Sequence, residues 1–203
     1  WKNNIRDELV TLGKTARSYD LNTGKILWEL KAGGEQSIPS PVADENFIYL
    51  GNAGGREVKS NLYAIKAGAA GDITPKDSVS SNSAIEWSFP NANLANPSPL
   101  LYKGLLYFLG SEGRAFTCLN AASGKLVYKT SIKRLAETWA SPWACNDKIC
   151  LYDERGVTRT IKAGEKFELI SENRLKDRFW ASPAITDNAY ILKGVDFLYC
   201  IRN

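Results

Sequence analysis

The chain contains no histidine. That absence excludes a Ser-His-Asp triad, a Cys-His dyad and any histidine-ligated metal within it. It also removes the commonest proton shuttle near neutral pH. Long apolar runs are missing too: none approaches the roughly 20 residues of a membrane-spanning helix, and no signal peptide opens the chain. Trp1 does not look like a natural first residue, and Glu8-Leu-Val-Thr-Leu12 already reads as a strand in mid-pattern, so the expected start lies upstream. A strong excess of one charge is lacking as well. Twenty-six Lys and Arg against 22 Asp and Glu leave a net +4. The most basic stretch (Arg155, Arg159, Lys162, Lys166, Arg174, Lys176, Arg178) is interleaved with Glu165, Glu168, Glu172 and Asp177. It is therefore expected to form solvated strand faces and turns, not the clustered stripe that nucleic acid requires.

What is present describes a packed protein. With 44% hydrophobic and 24% charged residues, the composition is that of a globular domain and not of a disordered one. At 203 residues the core needs neither disulfides nor metals.

The organising feature is a repeat. Ile38-Pro-Ser-Pro-Val, Asn96-Pro-Ser-Pro-Leu, Trp139-Ala-Ser-Pro-Trp and Trp180-Ala-Ser-Pro-Ala share one pattern, with serines 40, 98, 141 and 182 spaced by 58, 43 and 41 residues. After each comes a polar turn and an aromatic-rich strand: Phe47–Gly51, Leu105–Gly110, Ile149–Tyr152 and Ala189–Leu192. These are hairpin signals. A third strand recurs at residues 16–20, 61–65, 116–120, 158–162 and 197–201, and its alignment places Ser18, Ala64, Cys118, Thr160 and Cys200 at one small-residue position. A turn follows, clearest in Leu21-Asn-Thr-Gly-Lys25 and Ala121-Ala-Ser-Gly-Lys125, and then a fourth strand carrying Trp28, Trp87, Tyr128 or Phe167. Helical periodicity of any length is absent.

Four short strands repeated in this way are the sequence form of an all-β propeller built from antiparallel blades. The expected units are a partial blade at 1–31, complete blades at 38–89, 96–131 and 139–172, and a partial blade at 180–203. Residues 67–84, rich in Gly, Ala, Ser and Asp, form an insertion in the first complete blade. Partial blades at both ends imply upstream blades of the same protein that complete a larger ring.

Ser18-x-Asp20-x-x-Thr23-Gly24-x-x-x-Trp28 resembles the tryptophan-docking repeat of quinoprotein dehydrogenase propellers, and Cys118-x-Asn120-x-x-Ser123-Gly124-x-x-x-Tyr128 is a looser copy. Nearly the whole chain is similar to pyrroloquinoline-quinone (PQQ)-like repeat proteins of the quinoprotein alcohol-dehydrogenase-like superfamily. The resemblance implies that Gly24, Trp28, Trp87, Gly124 and Tyr128 are structural, with the indoles wedged between neighbouring blades. It also implies a bacterial periplasmic or secreted location. In the dehydrogenases the quinone lies against a vicinal Cys-Cys disulfide beside calcium and a catalytic aspartate. No two cysteines are adjacent here, and no calcium or aspartate motif stands out, so no cofactor and no catalytic residue are expected. PQQ and calcium belong only to the alternative, a dehydrogenase whose site lies mainly in upstream blades.

Other candidates are few. Cys118 and Cys200 fill the small-residue position. Cys145 and Cys150 flank the Asn146–Lys148 turn and are candidates for a disulfide, with free thiols as the alternative; no metal site is expected there. Asp20, Asn22, Asp147 and Asp153 are turn residues that bond nearby backbone, and Glu86 belongs to a strand. Trp139 and Trp180 precede the Ser-Pro serines by two residues, where they would either pack between blades or stack a planar or sugar-like ligand at the channel mouth. The insertion, containing Gly71-Asp-Ile-Thr-Pro75, is a candidate binding loop or a decoration. The expected function is a non-catalytic binding or scaffolding propeller, with a protein, small-molecule or carbohydrate partner and no nucleic acid. An outer-membrane protein assembly scaffold is a further alternative.

Overall fold

The computed structural model describes residues 1–33, 38–53, 60–76, 81–110 and 115–202, and among these it contains strands and no helix. Blade 1 comprises β1 (Glu8–Thr11), β2 (Thr15–Asp20) and β3 (Ile26–Lys31). In blade 2, β4 (Val42–Ala43), β5 (Phe47–Gly51) and β6 (Leu62–Lys66) are followed by a two-residue strand, β7 (Gly71–Asp72), before β8 (Ile85–Phe89) closes the sheet. Blade 3 is β9 (Leu100–Tyr102), β10 (Leu105–Leu109), β11 (Ala115–Asn120) and β12 (Leu126–Ser131). Blade 4 is β13 (Trp143–Cys145), β14 (Lys148–Tyr152), β15 (Val157–Lys162) and β16 (Leu169–Arg174). Blade 5, the last sheet, is three-stranded: β17 (Ala184–Ile185), β18 (Ala189–Lys193) and β19 (Leu198–Arg202). Within every blade the strands run antiparallel in sequence order.

The sheets fan out because both faces of each are apolar. On β5, Ile48 and Leu50 join a core with Trp28 and Leu30 of blade 1, whereas Tyr49 joins a core with Leu106 and Phe108 of blade 3. On β10 the alternation repeats, with Tyr107 and Leu109 turned to Ile149 and Leu151 of blade 4. Side chains on a strand point alternately to opposite faces, so a strand apolar at every position must be covered twice. The innermost strands meet around the axis: β4 lies against β9, and β9 against β13.

The repeated Ser-Pro serines have a structural use. Ser40 N–H donates to Ser98 Oγ at 2.8 Å, Ser98 N–H to Ser141 Oγ at 3.1 Å, and Ser141 N–H to Ser182 Oγ at 2.9 Å. Backbone amides just before the inner strands, outside any ladder, are thereby bonded from blade to blade.

The small-residue position lies where the alignment places it. Ser18, Ala64 and Cys118 stand opposite Trp28, Trp87 and Tyr128, and a β-bulge follows each small residue. Thr160 is followed by the same bulge, but its partner is Ser171. The expectation that Phe167 occupies the fourth strand is therefore corrected: β16 begins two residues later, at Leu169. Phe167 sits in the preceding turn. Lys162 N–H donates to Glu168 O there, as Asn120 N–H donates to Lys125 O in blade 3, so Phe167 takes the place of Gly124.

That substitution explains the docking. Trp87 donates its indole N–H to Ala121 O of blade 3 at 2.9 Å, and a Cβ on Gly124 would come within 2.5 Å of its ring. Gly124 also has φ +67°, which favours glycine. One blade further on, the smaller Tyr128 meets Phe167 edge-on, ring centroids 6.1 Å apart. A large ring faces a glycine, and a smaller ring faces a phenylalanine. Trp28 is fully buried between blades 1 and 2. Unlike Trp87, it bonds within its own blade, donating to Glu8 Oε2 at 2.9 Å. Glu8, buried as well, is also reached by the Ser18 hydroxyl, Arg6 and Asn3.

The insertion acts at least partly as a clasp; its residues 77–80 lie outside the described residues. β7 pairs in parallel with β3, Trp28 opposite Gly71 and Glu29 opposite Asp72. Ile73 N–H donates to Glu29 O at 2.9 Å, and Lys31 N–H to Thr74 Oγ1 at 3.1 Å. Thus a segment of blade 2 extends the outer edge of blade 1.

Trp28→Ala and Trp87→Ala should each destabilise by about 3–5 kcal/mol in denaturant titrations. Gly24 has φ +67° but no atom within 4 Å of its Cβ position, so Gly24→Ala should lose only the left-handed backbone term, about 1–2 kcal/mol. Gly124→Ala should lose distinctly more. Equal losses at the two glycines would refute the docking of Trp87.

Candidate functional site

The polar side chains of the blades divide into those consumed by the fold and those left over. Asp20 accepts from the backbone N–H of Asn22 and Thr23 and from the Thr23 hydroxyl, and this last contact leads the effects that hold its pKa below 3.8. Asp147 pairs with Lys103 across the blade 3–blade 4 boundary, and Glu86 pairs with Lys66 at 3.0 Å. Asp153 does more than turn the chain. It is 1% exposed and ion-paired at 2.8 Å with Arg159, itself 2% exposed, which also bonds Glu172 at 2.7 Å. Arg17 and Glu29 repeat the cross-strand half of this arrangement in blade 1. A buried pair of this kind is costly to break, because the surviving charge has no water to solvate it. In sequence Asp153 gave only a turn signal, since its partner comes from the next strand.

Trp139 and Trp180 are not buried between blades. They remain 44% and 52% exposed. The bond from Ser141 N–H to Ser182 Oγ joins their two blades two residues further on, so they stand at matching positions of adjacent blades. No ring contact joins them among the described residues; instead Arg178 lies over the Trp180 ring, 5.6 Å from its centroid.

Beside Trp180 the chain is fixed by Asp177. Its carboxylate accepts from the backbone N–H of Arg178 at 2.7 Å, Val195 at 3.1 Å, Asp196 and Phe197 at 3.2 Å, and from the Tyr199 hydroxyl at 3.2 Å. Burial alone raises its pKa, but these donors together outweigh it and hold the carboxyl below the usual 3.8. The loop 194–197, which ties blade 5 to the segment entering it, is thus built around one charge.

The cysteines are all free. Cys145 and Cys150, the candidate disulfide, are not bonded to each other in this structure. The register sets Cys145 opposite Lys148 and Cys150 opposite Trp143, so the two are diagonal neighbours and not a facing pair. Cys145 Sγ instead lies 2.8 Å from the Tyr190 hydroxyl, and Cys150 Sγ 3.8 Å from Thr160 Oγ1. Burial pushes the Cys118 thiol up to about 12, whereas Cys200 is exposed. Among the described residues no three Cys, Asp or Glu side chains come together to hold a metal ion.

Two measurements check these placements. The stability contributed by Asp177 should be fully present above its unfolded value near 3.8 and be lost as pH falls toward the lower folded value. Asp177→Asn should accordingly flatten the drop in melting temperature below about pH 4. In native protein, iodoacetamide should modify Cys200 rapidly and leave Cys118 untouched. After unfolding without reductant, Cys145 and Cys150 should both alkylate; a mass two hydrogens short would restore the disulfide.

No family model matches the chain. Over 124 residues it is 27% identical to tetrathionate hydrolase of Acidithiobacillus ferrooxidans, a match covering 57% of this chain and 21% of that protein. The chain thus spans about a fifth of the curated relative it matches. Among solved structures it is similar to BamB from Moraxella catarrhalis (TM-score 0.46, 13% identity, 96% of this chain and 69% of that one). It is also similar to a europium-containing methanol dehydrogenase (TM-score 0.48, 11% identity, 66% and 24%). No helix among the described residues is long and apolar enough to cross a membrane. Given the successive four-stranded antiparallel sheets, the bulged small-residue position and the docking of Trp87 on Gly124 of the next sheet, the fold is that of a β-propeller.

Proposed function

We propose that this chain is part of a non-catalytic binding or scaffolding propeller working in the bacterial periplasm or outside the cell. One observation carries the reading: Trp139 and Trp180 stay in water, 44% and 52% exposed, on a scaffold that buries Trp28 and Trp87 between blades. Exposed indoles held at equivalent positions by rigid sheets are a ready contact surface, since each offers a flat apolar face at little entropic cost. The partner class is a small molecule, a carbohydrate or a protein segment that can lie on such a face. The location rests on the resemblance to exported PQQ-like repeat proteins.

The sequence similarity to a tetrathionate hydrolase favours a second reading, in which the full-length protein hydrolyses a sulfur oxyanion. A PQQ-dependent dehydrogenase is the remaining enzymatic alternative. The three are separated by assay. Full-length protein with PQQ, calcium and a primary alcohol should not reduce an electron-accepting dye, and tetrathionate should persist unchanged by ion chromatography. PQQ-dependent dye reduction, or loss of tetrathionate, would overturn the non-catalytic reading in favour of the corresponding enzyme.

A further inference from the structure

The basic stretch of blade 4 does not end up balanced by the acids interleaved with it in sequence. Arg159 is taken by Asp153 and Glu172, and Lys162 by Glu168 at 3.4 Å. Arg155, Lys166, Arg174, Lys176 and Arg178 are left without an ion pair among the described residues, and all of these but Lys166 line one groove of about 380 Å³, together with Asp177 and Asp196. Of those two carboxylates, Asp177 is already saturated by its backbone amides and the Tyr199 hydroxyl. The groove therefore sets four cations against two carboxylates, of which Asp177 has its oxygens engaged by neutral donors, and the Arg178–Trp180 contact places the exposed indole at its edge.

The walls are held in position. Arg155 belongs to the β14–β15 turn, whose Gly156 has φ +80° and leaves a Cβ position only 2.2 Å from Leu175 O. Leu175 N–H donates to Gly156 O at 3.0 Å, and Val195 N–H to Arg178 O at 3.0 Å. Three segments from two blades are thus stitched together before any ligand arrives. The cations are exposed, so a single negative charge would gain little against water and salt. An ion carrying several oxygens and two or more charges would engage two guanidinium forks at once.

We propose that this groove between blades 4 and 5 binds a small oxyanion bearing at least two negative charges, held by Arg155, Arg174, Lys176 and Arg178. The proposal rests on reading the Trp180 face as a binding face and gives its ligand class. It is tested by calorimetric titration of the full-length protein with sulfate, pyrophosphate and tetrathionate separately, at constant ionic strength in chloride. Saturable one-to-one binding is expected for at least one of them, and the tightest names the source chemistry. Arg174→Gln with Lys176→Gln should weaken it by about tenfold or more. Lys162→Gln with Lys166→Gln, which removes the same charge from the same blade, should leave it within about twofold. All four side chains are exposed. Equal weakening in both pairs, no saturable binding, or binding to heparin or anionic vesicles alone would overturn the proposal. Tetrathionate binding with turnover would retain the groove and remove the non-catalytic reading. Absence of both binding and turnover would remove the groove and leave that reading standing.

Discussion

A four-stranded sheet with two apolar faces escapes water only by standing between two others, and this requirement governs the arrangement of the whole chain. Ile48 and Leu50 look one way from β5 and Tyr49 looks the other. Stacked flat, such sheets would have to share strand direction across each interface; set edge-on around an axis, they meet as wedges. The twist of the strands and the taper of the side chains favour the second arrangement. Burial of apolar surface supplies the drive, while the serine-to-amide bonds near the axis satisfy polar groups that close packing would otherwise strand.

The wedge contacts are matched in size from one interface to the next. Trp87 meets Gly124, and Tyr128 meets Phe167. Glycine leaves room for the full indole, whereas the phenylalanine closes edge-on against the smaller phenol, so each joint is filled by its own pair. The first interface is solved differently. There the insertion brings β7 to the edge of blade 1, and Trp28 turns its N–H to the buried Glu8. Repetition thus tolerates local departures, and the packing leaves some buried polar atoms without a hydrogen-bond partner, among them the Tyr128 hydroxyl and the Trp143 indole N–H.

Rigidity of this kind makes the surface informative. A side chain that the rigid blades leave in water is open to a partner. Trp139 and Trp180 are such residues, and so are the unpaired cations beside Trp180. The Asp177 carboxylate is the link between the two: by holding the loop 194–197 against Arg178, it builds the wall on which those groups stand. An aromatic edge beside a cationic groove is a surface suited to an anion with an apolar side.

The strand periodicity, the Ser-Pro spacing and the small-residue alignment were readable without coordinates, because a repeated blade meets the same local requirement each time and writes it at the same offset. The glycines of the docking turns were legible for the same reason, since a left-handed backbone has few occupants. Phe167 was misplaced because an aromatic beside a turn fits either the turn or the strand, and only the pairing of Thr160 with Ser171 decides. The partners of Asp153 and Glu8, the free state of Cys145 and Cys150, the parallel pairing of β7 and the convergence of four cations were beyond the sequence. Each depends on which residues of separate strands or blades share a face, and that is fixed by register and by the way the sheets fan, not by spacing along the chain.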